Sequence, residues 1–306
     1  MLNKNMIASL LLGISAVSTC YAQEKEIAIT IDDLPFVGSA NNNADKLKRE
    51  NERFMLIMQA LIDHKVPATG FVIAGSIEKN QWQLLEKFRD EGFILGNHTY
   101  SHKSLNNVTA DTYINDMDKA DTILTPLMIG PKYFRYPYLA ESKGEKKQAV
   151  YDYLSGHNYK IAPVTIDSKD YKFNAQLFAI PYRLRPQNLN QLKNRYLAYI
   201  WSQTLRAEAN AKQHNTEGGK QILLIHANLL NSHFLGDIID MYEKNGYKFI
   251  TLTQALEGPA PAIEIPIDDT DTPSAAEISQ AVKVLFTKSV SVKAQHLSNE
   301  TIVPVN

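Results

Sequence analysis

From Glu26 onward, short apolar runs rich in β-branched residues alternate with longer stretches in which apolar positions recur at helical spacing. The short runs are 27–31, 68–73, 93–97, 133–136, 161–166, 221–225 and 248–252. Between two of them, Leu189, Leu192, Tyr196 and Ile200 follow Pro186 on one helical face, and Ile238, Ile239 and Tyr242 precede Asn245-Gly246, a helix-stop pair. Strands separated by helical crossovers predict parallel pairing, in an α/β barrel or an open doubly wound sheet. Two regions depart from the alternation. Residues 171–185, with Phe173, Phe178 and Tyr182, read as a loop wall, or as packing against the barrel. Beyond Glu257, Gly258-Pro-Ala-Pro261 opens a linker whose acidic stretch (Asp268, Asp269, Asp271) reads as solvated rather than as a calcium loop. A short helix should follow, with Ser274 and Glu277 as its capping box and Ile278, Val282 and Leu285 on one face, so that the tail forms a C-terminal appendage docked on the barrel.

The first residues carry a different pattern. Lys4 gives a positive start, 6–17 an apolar run, and Cys20-Tyr21-Ala22 a small-x-small cleavage site before Gln23, which together read as an export signal. That run falls short of the roughly 20 residues a membrane span takes. An uncleaved anchor is one alternative; lipidation at Cys20 is another, because Val17-Ser18-Thr19-Cys20 loosely resembles a lipoprotein signal. Cys20 is the single cysteine, so its loss with the leader leaves neither disulfide nor thiol nucleophile, and stability must come from the core. The expected division is a signal peptide over 1–22, a catalytic domain over 23–257 and a linker with tail over 258–306. The mature protein is expected to be exported, periplasmic or secreted, without stable membrane insertion. Across 306 residues, 32 basic side chains face 33 acidic ones, a net charge of −1 that loses one more unit with Lys4. No basic excess points to nucleic acid; a neutral polymer or small molecule is the expected partner.

Side chains able to do chemistry fall at the carboxyl ends of the expected strands. Asp32 and Asp33 follow the first, His98 the third, Arg135 to Tyr138 the fourth, Asp167 and Asp170 the fifth, and His226 the sixth. In a barrel this is the face where the βα loops build an active site, so residues distant in sequence converge there. One carboxylate of the Asp32-Asp33 pair with the two imidazoles of His98 and His102 can hold a divalent metal and leave a position open for water, which makes a metal-dependent hydrolase the first hypothesis. Taken singly, each group has an ordinary explanation. Histidines four apart occur on helical turns, a strand-ending aspartate caps helices, 135–138 can be a structural turn, 167–171 a solvated loop, and His226 a buried histidine. Their shared placement is what those explanations leave over.

At these residues the chain resembles a known family. Thr30-Ile31-Asp32-Asp33, His98-Thr99-Tyr100-Ser101-His102, Arg135-Tyr136-Pro137-Tyr138, Asp167-Ser168-Lys169-Asp170-Tyr171 and Ile222-Leu223-Leu224-Ile225-His226 are similar, in order, to the five motifs of the polysaccharide deacetylases, carbohydrate esterase family 4. The resemblance runs over 26–257 and includes the ending Gly246-Tyr-Lys-Phe-Ile-Thr-Leu-Thr-Gln-Ala-Leu256. It implies a distorted (β/α)7 barrel and removal of N-acetyl groups from amino sugars of a chitin-like or peptidoglycan-like glycan, with release of acetate. By motif position it implies Asp33, His98 and His102 as ligands of a divalent metal, usually zinc in this family, with Asp32 as general base and His226 as general acid. It further implies Arg135 and Asp170 as residues orienting Asp32 and His226, and the Tyr138 N–H as an oxyanion donor. Tyr138, Tyr171 and Leu224 would contact substrate, Leu224 lining the pocket for the acetyl methyl.

The sequence also departs from the family pattern. Leu34-Pro35 follows Asp33 where glycine is usual, Leu139 follows Tyr138 where glycine is common, and Tyr171 replaces a tryptophan. These changes suggest a narrowed first loop and a smaller stacking face. Two rival functions remain: a metal-dependent amidase acting on a small non-glycan amide, and a non-catalytic carbohydrate-binding protein. Release of acetate with an exposed glucosamine excludes the first; the complete set of ligands, base and acid argues against the second.

Overall fold

The computed structural model of the protein describes residues 24–38, 40–214 and 220–257. The expected leader (1–22) and the linker and tail (258–306) lie outside them. Eight strands form one sheet: β1 (Lys25–Leu34), β2 (Ala68–Val72), β3 (Ile94–Asn97), β4 (Lys132–Phe134), β5 (Tyr159–Ile161), β6 (Ile166–Asp167), β7 (Gln221–His226) and β8 (Tyr247–Phe249). Their order is β5-β4-β3-β2-β1-β7-β6, with β8 against the start of β1, and all these pairings are parallel. The crossovers carry helices α1 (Ala44–His64), α2 (Gln81–Asp90), α3 (Ala110–Leu124), α4 (Gly144–Gly156), α5 (Asp170–Ala179), α6 (Arg185–Gln213) and α7 (Leu229–Lys244), and the short α8 (Leu252–Ala255) follows β8. This is the α/β architecture of a distorted, curled barrel.

The expected fifth strand is split. Its first part, β5, pairs with β4 and its second, β6, with β7, so one bent segment joins the two ends of the sheet. Pro163, between them, has no N–H for a ladder, and the chain turns there. Ala162 still donates to the Phe134 carbonyl on one side, and Thr165 to the Ile222 carbonyl on the other.

Residues 171–185 are not the loop wall read from the sequence; the other reading, packing against the barrel, holds for Phe173, which lies in the core. They form most of α5 and a turn of 3-10 helix over Tyr182–Leu184. Phe173 and Leu177, four apart, supply the buried face, and the Phe173 ring packs 5.1 Å from that of Tyr196 on α6. The exposed Tyr171, Phe178 and Tyr182 masked that periodicity.

The narrowed first loop is also corrected. Leu34 closes β1 opposite Val72 and is fully buried, with Pro35 buried behind it. Its side chain fills the space above Gly70, where a Cβ would stand 2.0 Å from Leu34 Cδ1. Leu34 therefore belongs to the core and not to a loop wall. Along β1, Ile27, Ile29 and Ile31 join that core, each burial contributing about 1.5–3 kcal/mol relative to exposure. Among the described residues, no helix is long and apolar enough to cross a membrane.

Candidate active site

The tips of β1 and β7 lie side by side, with Asp32 opposite His226 and Thr30 opposite Leu224. Strand alternation puts Thr30 and Asp32 on one face. Just past Asp32 the register of β1 against β2 shifts, and Asp33 takes a left-handed φ of 62°. A bulge re-aims the residue it carries: Asp33 faces the turn after β3, and Asp32 stays within the sheet's mouth.

That turn, 98–102, is built by side chains. Thr99 and His102 both have positive φ, 67° and 54°, so the histidines sit on a loop and not on a helical turn. Asn97 accepts the Thr99 N–H at 2.7 Å, Thr99 Oγ1 accepts that of His102 at 3.0 Å, and Asp116 on α3 accepts those of Tyr100 and Ser101. The His98 ring is buried, with Nδ1 2.8 Å from the Arg135 carbonyl. That carbonyl takes the ring proton and leaves the lone pair on Nε2. Burial above all pushes the His98 pKa down to about 3, although Asp33 opposes it, so the ring is neutral at working pH.

Asp33 Oδ1 lies 3.6 Å from His98 Nε2 and 3.3 Å from His102 Nε2, and the three side chains offer donor atoms within 4.8 Å of one another. Oδ1 is buried and has no hydrogen-bond partner among the described residues. Tetrahedral ligands bound at ~2.0–2.1 Å stand about 3.3 Å apart, so this spacing and a neutral imidazole fit a divalent metal. A second histidine-carboxylate group, His64 with Asp240 and Glu243, lies partly exposed across α1 and α7. There Asp240 is already engaged by Lys244 at 2.6 Å.

Asp32 is held separately. Arg135 Nη1 is 3.4 Å from both its carboxylate oxygens, and Nη2 donates to Thr30 Oγ1 at 3.1 Å and to the Pro163 carbonyl at 3.4 Å. Burial raises the Asp32 pKa, with Arg135 opposing, and burial prevails. On the other side, His226 Nδ1 is 2.7 Å from Asp170 Oδ1. Burial alone would lower the His226 pKa, but the Asp170 carboxylate, with smaller help from Asp33 and Asp32, pushes it up to about 10. Asp170, wholly buried, accepts on Oδ2 from the His226 N–H and from Asn228 and Asn231.

The Tyr138 ring is exposed and lies tilted against His102, with centroids 4.7 Å apart and planes at 50°; its backbone is left-handed, φ 58°. Tyr171 stands edge-on to His226 at 6.5 Å, and Leu224 is buried beside Thr30 and Asp167. All ten residues singled out in the sequence thus gather around the mouth of the sheet. Asn228 and Asn231, which complete the setting of Asp170, were missed. Asn228 is also the N-cap of α7, and as a cap it was legible.

Comparison with known proteins gives a consistent picture. The family profile described as "Polysaccharide deacetylase" matches residues 21–160. A peptidoglycan-N-acetylglucosamine deacetylase of Bacillus cereus is 32% identical over 148 residues, 48% of this chain and 46% of that protein. The chain thus spans about half the length of that curated relative. Among solved structures, the chitin deacetylase of the fungal pathogen Colletotrichum lindemuthianum superposes with a TM-score of 0.53 at 22% identity, over 78% of this chain and 90% of that one. A CE4 family pseudoenzyme from Bacillus anthracis does so with a TM-score of 0.52 at 18% identity, over 76% and 66%.

Proposed function

We propose that this chain is a member of the polysaccharide deacetylase family and a metal-dependent hydrolase that removes N-acetyl groups from the amino sugars of a chitin-like or peptidoglycan-like glycan and releases acetate. The observation that carries the reading is the pairing of two independently held proton-transfer groups, Asp32 and His226, on neighbouring strand tips beside three converging donor atoms. Asp33, His98 and His102 are the proposed ligands, with zinc the metal that suits two imidazoles and a carboxylate. When bound, the metal would lower the pKa of a water and polarise the amide carbonyl.

The chain's own residues do the rest. Asp32 takes the proton of the attacking water, its carboxylate aimed by Arg135 and its basicity raised by burial. The Tyr138 N–H, which bonds no carbonyl among the described residues, donates to the developing oxyanion. His226 enters the reaction protonated. Asp170 holds the Nδ1 proton in place, which leaves the Nε2 proton for the departing amine. Leu224 lines the small pocket for the acetyl methyl, and the Tyr138 and Tyr171 rings flank the sugar. The fold itself occurs in a pseudoenzyme as well as in deacetylases, so these side chains, and not the fold, carry the argument. Export with cleavage of the leader, a catalytic domain over 23–257 and a periplasmic or secreted location belong to the same proposal.

Acetate release is the test, across acetylated chitooligosaccharides, peptidoglycan fragments and small amides, before and after chelation. Glycans should release acetate, chelation should stop it, and added zinc should restore it. Release from small amides alone, or full activity without metal, overturns the reading.

A further inference from the structure

A line of exposed rings leads away from the site along α5. Tyr171, in the first turn, is 43% exposed beside His226. Phe178 lies seven residues on, hence on the same face and about 10 Å farther along the axis, with the exposed Ala175 between them. Phe178 is 54% exposed, and Tyr182, in the turn that follows, 82%. The barrel does not need these rings outside, because α5 packs through Phe173 and Leu177. A run of solvated aromatic faces leading from a reaction centre marks a surface that something covers, and the C–H face of a sugar ring is what packs on such a platform.

The same line is cationic. Lys169 and Lys172 approach the Tyr171 ring, at 5.8 and 5.9 Å from its centroid. Arg185 stands between the outer rings, 5.7 Å from both Phe178 and Tyr182, steadied by its Nε bond to the Ile180 carbonyl at 3.2 Å. From 169 to 185 the one acidic residue is Asp170, which is wholly buried against His226. Lys169 is answered by Asp167 at 3.2 Å; Arg183 and Arg185 have no carboxylate partner among the described residues. The excess charge is felt on α7, where His233 is held below its ordinary pKa by burial first and then by Arg53 and Arg185.

We propose that α5 and the turn after it form an outer subsite for a carboxylate-bearing, N-acetylated glycan chain, with sugar units packed on Phe178 and Tyr182 and the carboxylate met by Arg185 and Arg183. The proposal rests on the deacetylase reading and extends it to the length and charge of the substrate. A neutral chain could pack on the rings but would leave the arginines unanswered, whereas an acidic strand uses both.

Binding and turnover are measured separately on the full, metal-loaded protein, with an acidic N-acetylated hexasaccharide, neutral chitohexaose and a disaccharide as probes. The double variant Phe178→Ala, Tyr182→Ala should weaken hexasaccharide binding and raise its KM about tenfold, with disaccharide turnover unchanged. Arg185→Gln, and independently Arg183→Gln, should weaken the acidic hexasaccharide severalfold and leave chitohexaose unaffected. Equal effects on disaccharide and hexasaccharide, or on acidic and neutral chains, overturn the proposal. Ring-dependent hexasaccharide binding without acetate release would keep the subsite and defeat the deacetylase reading; acetate release indifferent to chain length would do the reverse.

Discussion

Asp32 and Asp33 are neighbours in sequence whose carboxylates meet different partners, Arg135 for one and two imidazoles for the other. Asp32→Asn should therefore keep near-stoichiometric metal while activity falls by about a hundredfold or more; Asp33→Asn should lose both. Elemental analysis of the two variants decides, and reversed metal contents would exchange the roles. His226→Ala should harm amide hydrolysis far more than hydrolysis of an activated aryl acetate, whose leaving group departs with little proton assistance. Equal losses on both substrates would make His226 a positioning residue. Its coupling to Asp170 has a stability consequence in the metal-free protein. A pKa raised from 6.5 to about 10 means the pair stabilises fully below pH 6.5, and that contribution fades as pH rises through about 10. Asp170→Asn should flatten this slope in denaturation midpoints taken across the window; an unaltered slope would assign it elsewhere. At this scale the sequence was informative wherever a charged or imidazole side chain ended a strand. It was silent on Asn228 and Asn231, because a neutral amide capping an apolar helix, or in its first turn, looks ordinary whether or not it also holds a carboxylate.

Among the elements, strands were easier to recognise than the chain between them. Runs of Ile and Leu announced β1 and β7, which are buried on both faces, and Leu192, Tyr196 and Ile200 announced α6 through one buried face. The segment after Asp170 misled because the aromatic residues it displays outnumber those it buries. Leu34 misled for a different reason: a residue following two functional aspartates reads as loop, yet β1 continues beyond its bulge and returns the side chain to the core. Close approach between strands gives a direct check of the sheet. A Cβ on Gly96 of β3 would stand 2.8 Å from the Tyr133 backbone carbonyl and 2.8 Å from the Phe71 ring, and neither has room to withdraw. Gly96→Ala should destabilise the fold by about 1–3 kcal/mol, read from the urea midpoint at unchanged m value. A midpoint equal to wild type would show that β3 and β4 can separate more easily than their packing implies.

For the whole molecule, parallel α/β pairing was readable from the count and spacing of strands and the barrel only from the family resemblance; how the ring closes was not readable, since a proline inside one apolar run decides it. The proposed metal joins elements far apart in sequence, β1 and the turn after β3, and binds only when they are assembled. Metal at about a hundred times its Kd should then raise Tm by roughly 5–10 °C, measured by calorimetry with and without chelator. An unchanged Tm in wild type, or an equal rise in His98→Ala, would place the binding elsewhere. The split strand has one more effect. The two outermost strands of the sheet are only three and two residues long, and the same short segment ties them together. Unpaired strand edges are templates on which other chains can extend a sheet. Here neither end offers a template of useful length, so crowding this protein at high concentration should not lead to edge-to-edge association.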